Sequence, residues 1–305
     1  ELNLPITAFI NQVLTGKGCG ASEVEEEHVY PLIYELHKVN PNFMLYIFPN
    51  IATQLAAEET AVRARAVALL GRLFAASHAD YGHDYPRIFR EFLGRFKDKE
   101  EAIRAQAVGI GAIIMQRKPK LAEQIVPLLA GRLQDPEWEI RAKAAKETCQ
   151  VALHSIELVS GALLREVGGR LADKKPQVRL EAVRGLATLY AAYVSRTWSE
   201  ADRAGEALPP DLEEKLAWIP GTVLLGYSLQ DHDLRLCILQ AFDEVLLPKT
   251  AECQARTTGL LFIWQQLGAE EQRALRVVLQ DRATVQARVG EYLAARTSWR
   301  VDMED

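Results

Sequence analysis

Four side chains able to hold a divalent metal, His78, Asp80, His83 and Asp84, fall within one seven-residue stretch. Imidazole and carboxylate suit zinc, but a closed site takes four ligands at workable spacing. Here the spacing is irregular and no further ligand stands nearby, so the stretch reads as a solvated loop between helices. Gly16-Lys17-Gly18 has the small residues and the cation of a phosphate cradle. It lacks the Walker spacing, a Ser or Thr after the lysine, and a preceding strand, and reads as a plain loop. His28, His37, His154 and His232 show no pairing of nucleophile with base. Asp98, Asp135 and Asp173 resemble a set of acids for proton transfer, but they recur at one place in successive segments. Recurrence argues for a structural duty, so no catalytic residue and no metal centre are assigned, and the chain is expected not to be an enzyme.

The elements that position these residues repeat. Gly94-Arg95-Phe96-Lys97-Asp98, Gly131-Arg132-Leu133-Gln134-Asp135 and Gly169-Arg170-Leu171-Ala172-Asp173 read alike. Five and six residues after each Asp come Ile103-Arg104, Ile140-Arg141 and Val178-Arg179, and then Ala107, Ala144 and Ala182. A fourth copy lacks the Asp but keeps Leu55, Val62-Arg63 and Ala66. A period near ~40 residues points to HEAT or armadillo units, each a small group of helices that must stack on its neighbours to bury its apolar stripe. Such stripes run through Val62, Ala66, Leu69, Leu70 and Leu73, through Ile103, Ala107, Ile110 and Ile114, and through Val178, Ala182, Leu186, Leu189 and Tyr193. Each Asp should sit by the N-terminus of the next helix and accept its free N–H groups. Arg104, Arg141 and Arg179 should form a ladder between adjacent repeats.

The pattern places helices near 3–15, 23–38, 41–56, 60–76, 84–97, 100–116, 118–133, 137–154, 156–172, 176–195, 211–229, 232–247, 250–267 and 270–296, with the integrity of the last left open. Ser22-x-x-Glu25 reads as a capping box, and Glu25-Glu26-Glu27 as first-turn acids favoured by the helix dipole. The fold class is therefore all-α: a HEAT-repeat (armadillo-type) superhelical solenoid of antiparallel helix pairs. It is expected to run as a single continuous array over 1–305, with a surface insertion at about 195–210, where charge, Ala, Gly and Pro break the spacing.

Composition agrees. Hydrophobic residues make up 49% and charged residues 25%, enough for a long core with a solvated face. No apolar run approaches the ~20 residues that cross a bilayer, no signal-peptide pattern opens the chain, and no membrane partner is expected. Cys19, Cys149, Cys237 and Cys253 are scattered without metal or disulfide spacing, which suits a reducing compartment. Charge is uneven: −6 over 1–60, +7 over 61–190 and −6 over 191–305, for −5 in all. A basic middle can attract an acidic partner. The net charge predicts at most weak, salt-sensitive DNA binding.

Along the chain, Phe9-Ile10-Asn11-Gln12-Val13-Leu14 is followed by Leu32 to Leu36 and by Phe48-Pro49 with Leu55. Then come Leu69-Leu70-Gly71-Arg72-Leu73-Phe74, Phe92 to Asp98 and Asp173 to Arg179. Gly185-Leu186-Ala187-Thr188-Leu189-Tyr190, Trp218-Ile219-Pro220 and Leu246-Leu247-Pro248 close the series. In this order the series resembles the precocious-dissociation-of-sisters family, the HEAT-repeat regulatory subunits of cohesin, over nearly the whole chain and as an inner part of a longer protein. The match is poorest at 195–210.

That resemblance implies a nuclear, chromatin-associated scaffold that binds the cohesin kleisin subunit and controls the maintenance and release of sister chromatid cohesion. It further implies the wings-apart-like release factor and the cohesin acetyltransferase as partners, with much of the release-factor contact N-terminal to these residues. An inositol polyphosphate is the one small molecule it suggests, with no residues assigned. The competing reading is a different HEAT docking scaffold, of the transport-receptor or phosphatase-adaptor type; the ordered series argues against it. For the kleisin, the expected site lies along the exposed side of the helix over 179–193, with Tyr190 as apolar anchor, Lys175, Arg179 and Arg184 as charge partners, and Tyr193 and Trp218 as further aromatic contacts. Large aromatic and Arg side chains are the usual anchors of such interfaces.

Overall fold

The computed structural model describes residues 3–15, 23–195, 209–229, 231–247 and 253–301. Every regular element among the described residues is helical, and none of those helices is long and apolar enough to cross a membrane. The Gly16–Gly18 loop, Cys19, Ser22, Trp198 and residues 196–208, nearly all of the expected insertion, lie outside the described residues, as do the side chains of Glu25 to Glu27 and Trp299. The chain forms two compact units, Glu1–Val167 and Gly168–Asp305.

The first unit pairs helices in sequence: α1 (Asn3–Thr15) with α2 (Glu23–Val39), α3 (Met44–Gln54) with α4 (Thr60–Phe74), then, after a single short turn α5 (Tyr81–Asp84), α6 (Pro86–Leu93) with α7 (Glu101–Arg117), and α8 (Ala122–Arg132) with α9 (Trp138–His154). The second helices stack as a layer, α2 on α4, α4 on α7 and α7 on α9, while α1 and α6 flank α3 in the other layer. The anticipated stripes form the core between the layers: Leu69, Leu70, Leu73, Ile103, Ala107 and Ile114 are buried. Close approach within the layer depends on Gly71, where a Cβ would lie 2.2 Å from Ile110 Cγ2.

An arginine–aspartate ladder ties successive repeats together. Arg63 of α4 donates through Nε and Nη2 to Asp98, both at 3.2 Å. Arg104 of α7 makes the same fork to Asp135, both at 2.9 Å. The remaining nitrogen of each guanidinium donates to loop carbonyls ahead of its own helix: Arg63 Nη1 to Ala57 and Glu58, and Arg104 Nη1 to Asp98 and Lys99. Arg141 Nη1 repeats this with Asp135 and Pro136. Each Asp has further partners: Asp98 accepts from Arg95 at 2.9 Å, and Asp135 from Arg132 at 2.5 Å. Planar, forked guanidinium donors match a carboxylate in this way.

The aspartates do not cap the helices directly, as the sequence suggested. Asp98, Asp135 and Asp173 accept the N–H of Glu100, Glu137 and Lys175, which are themselves the N-cap residues. The carboxylates therefore fix the inter-helix loop. Burial alone would raise Asp98, but the Glu100 N–H and the guanidiniums of Arg63 and Arg95 hold it below the ordinary carboxylate value. Burial likewise opposes, and Arg104, the Glu137 N–H and Arg132 outweigh it, at Asp135.

The second unit is less regular. It begins at the C-terminal end of α10 (Gly161–Gly169) and continues with α11 (Pro176–Tyr190), whose end widens into a π-helical turn, Ala191–Ser195. The single helix expected at 211–229 is two, α12 (Pro210–Leu216) and α13 (Ile219–Gly226), because Pro220 lies in the first turn of α13 and starts a new helix. α14 (His232–Gln240) ends in a second π turn, Ala241–Leu246, and α15 (Cys253–Gln266) leads to α16 (Ala269–Val301), which is unbroken. Here Arg179 of α11 pairs with Asp231 and donates to the Asp173 carbonyl at 2.6 Å. Asp231 is also the N-cap of α14, accepting the Leu234 N–H at 3.1 Å.

Candidate partner-docking site

The expected site residues divide into structural and available sets. Tyr190 is fully buried, and its hydroxyl donates to Gln266 Oε1 at 2.9 Å. Burial pushes its phenol well above the usual value. Tyr190 lies four residues past Leu186 and next to Leu189, inside the arc of α11 that faces the core, so it cannot be the exposed anchor expected of it. Arg179 is likewise engaged: its side chain is 14% exposed and held by Asp231 and the Asp173 carbonyl. It is a ladder residue and offers no free charge to a partner. Trp218 packs its ring on Gly168, where a Cβ would fall 2.6 Å from Cζ3, and donates its indole N–H to the Lys215 carbonyl at 2.7 Å. Tyr193 is half-buried in the first π turn.

Arg184 and Lys175 remain available. Lys175 is exposed at the start of α11. Arg184 is 61% exposed, with Nη1 3.9 Å from Glu181 Oε1 on the same helix. Its guanidinium lies near enough to the Cys237 thiol of α14 to act on that thiol's titration. Burial pushes that thiol up, and Arg184 partly opposes the shift. Beside Cys237, Leu236 is 49% exposed, giving the face an apolar element that residue typing missed. Its signal was positional: Leu234, Cys237 and Ile238 take the core side of α14, which leaves Leu236 off the stripe. Lys175 and Arg184 offer exposed cations at two separate points of α11, and Leu236 offers an exposed apolar side chain on α14.

The histidine and acid side chains of this stretch point different ways. His78 lies tilted against His37 with ring centroids 4.8 Å apart, while His83 is exposed, its Nδ1 3.5 Å from Asp84. Among the described residues no group of three or more His, Cys, Asp or Glu side chains converges to hold an ion. Burial lowers the His37 imidazole below its usual value, opposed by its contact with the Tyr34 carbonyl. Burial also pushes the neighbouring Tyr81 phenol up to about 12.

Comparison with known proteins places this architecture. The family model described as sister chromatid cohesion protein PDS5 matches residues 1–305. The chain is 30% identical over 290 residues to the human sister chromatid cohesion protein PDS5 homolog A, covering 94% of this chain and 21% of that one. It is 29% identical over 270 residues to human homolog B, covering 88% and 18%. The chain thus spans about a fifth of the length of the curated relatives it matches. A solved structure of the Pds5-Scc1 complex superposes with a TM-score of 0.76 at 15% identity, covering 90% of this chain and 41% of that one. At that identity the likeness establishes the fold.

Proposed function

The chain belongs to the PDS5 family of sister chromatid cohesion proteins, and on that premise we propose that it is a non-enzymatic cohesin-regulatory scaffold that docks a kleisin segment. The family match over the whole chain carries this reading. It is supported by the fold shared with a Pds5 solved as a complex with Scc1, and by the exposed cation Arg184 on α11 and the exposed Leu236 on α14. Acting in the nucleus on chromatin, such a scaffold would maintain and release cohesion through the proteins it holds, the wings-apart-like factor and the cohesin acetyltransferase among them. Direct DNA binding would be weak at a net charge of −5.

The docking residues are Arg184, Lys175 and Leu236, with Tyr193 and Trp218 at the margin. Tyr190 and Arg179 hold the face in shape from beneath. A panel of overlapping Scc1-type kleisin peptides, titrated against the chain by fluorescence anisotropy at near-physiological salt, tests the reading. Saturable binding of one peptide is expected. Binding of none of them contradicts the proposal.

A further inference from the structure

The second-helix layer of the first unit carries a surface that the kleisin reading does not use. On one flank, Arg72 of α4 stacks on Tyr34 of α2, its guanidinium carbon 3.7 Å from the ring centroid. Lys38 Nζ stands 4.8 Å from the same centroid. In the middle, Gly71 admits Ile110 of α7. On the other flank, Lys143 of α9 lies over Gly109 of α7, with Cε and Nζ both 3.2 Å from where a Cβ would be. These cross-helix contacts set Tyr34, Arg72, Ile110 and Lys143 in one row across α2, α4, α7 and α9. One helical turn further on lies a second row, with Lys38, Ile113 and Lys146 at i+3 or i+4 from the first. Ile113 is 45% exposed at its centre, and Lys146 is exposed.

Cations dominate both rows. Glu35 is engaged by Lys38 at 2.8 Å and also feels Arg72, Glu147 feels Lys143 and Lys146, and exposed Glu139 stands four residues before Lys143 on α9. No ion pair holds Arg72, Lys143 or Lys146 among the described residues. Stacking on Tyr34 orients the Arg72 guanidinium while leaving its N–H edge open, as cation–π contacts do. An apolar side chain half-exposed among oriented cations matches one chemistry: a short segment with carboxylates on either side of an aliphatic or aromatic residue. Nucleic acid fits less well, because Ile113 would face phosphates and Glu35 and Glu147 would repel them.

We propose that this face is a docking surface for a short acidic peptide segment, in which Arg72, Lys143 and Lys146 receive carboxylates and Ile113 receives one apolar side chain. It does not rest on the kleisin reading, since probe and substitutions leave the second unit untouched. The probe is a fluorescein-labelled acidic peptide with a central leucine, titrated against the whole chain at low and near-physiological salt. Saturable binding is expected, weakening as salt rises because the charges are exposed. Arg72→Glu combined with Lys143→Glu should weaken it on the order of tenfold or more. Ile113→Ser, or the peptide with serine in place of leucine, should weaken it several-fold. Lys146→Glu, at an exposed position, gives the same direction of change should the double variant fail to fold, as circular dichroism would reveal. Unaltered binding in Lys146→Glu and Ile113→Ser overturns the proposal, as does absence of binding by the unsubstituted chain. Displacement of the peptide by a DNA duplex at lower concentration than by unlabelled peptide also overturns it, in favour of a nucleic-acid surface.

Discussion

The two units solve the same problem with different regularity. In the first, Arg63 and Arg104 each reach the aspartate one repeat ahead, 35 and 31 residues on, with side chains at most 10% exposed. In the second, Arg179 reaches Asp231, 52 residues ahead, and the pair is more open. The ladder needs only an arginine in the first turns of one helix and an aspartate in the loop before its neighbour, so the intervening chain can lengthen without breaking it. The second unit has long-range side-chain contacts of its own: Tyr190 to Gln266, Tyr227 to Asp281 at 3.0 Å, and Arg282 to Asp243. The first unit has such bonds too, Tyr30 to Gln54 at 2.7 Å among them, but there the repeated loop stands beside them.

Removing a ladder carboxylate should separate the units most. Asp135→Ala strands Arg104 and Arg132 with little solvent, and breaking a buried pair on one side costs about 3–5 kcal/mol. Asp231→Ala loses a more exposed pair and an N-cap, together about 1–2 kcal/mol. Urea unfolding of the two variants side by side checks the ranking; equal losses would erase the distinction. Gly71→Ala forces Ile110 aside and should cost about 1–3 kcal/mol by overpacking. Combining it with Ile110→Ala should recover part of that loss, a coupling that a double-mutant cycle reads directly.

Acid should act on the same element. The Asp98 and Asp135 carboxyls titrate below their ordinary value in the folded protein. The stability they contribute is complete above the unfolded pKa near ~4 and is lost as pH falls through the lowered folded values. Thermal midpoints measured from neutral pH downward should fall more steeply for the unsubstituted chain than for Asp98→Asn. The smallest effect expected is that of Tyr190→Phe, about 1 kcal/mol for one hydrogen bond, with the second unit's amides losing protection in hydrogen exchange while α4 and α7 keep theirs.

Most of the helical layout was readable in the residues because apolar periodicity reports burial of one face, and the Gly-Arg-x-x-Asp series marked the loops. Half the meaning of that series was not read. Arg95, Arg132 and Arg170 precede each Asp by three residues, a spacing that brings them onto its carboxylate, and their recurrence was visible in the repeat itself. The docking face was legible only in part. Tyr190 sits at the edge of the apolar arc of α11 in the sequence, and its pairing with Gln266, far along the chain, fixes it in the core. Arg184 was identifiable as a cation on α11, whereas Leu236 needed the register between α11 and α14, which no local pattern encodes. The break at Trp218 had a signal in Pro220, outweighed by the apolar run around it.

We propose that exposed helix faces of this chain dock partner segments, the kleisin on the second unit. The most direct test is one kleisin-peptide titration run on two variants, Arg184→Glu with Leu236→Asp in the second unit and Arg72→Glu with Lys143→Glu in the first. The account predicts that the first variant loses on the order of 2 kcal/mol or more of binding while the second binds like the unsubstituted chain. Full binding by the first variant, or loss confined to the second, would contradict it.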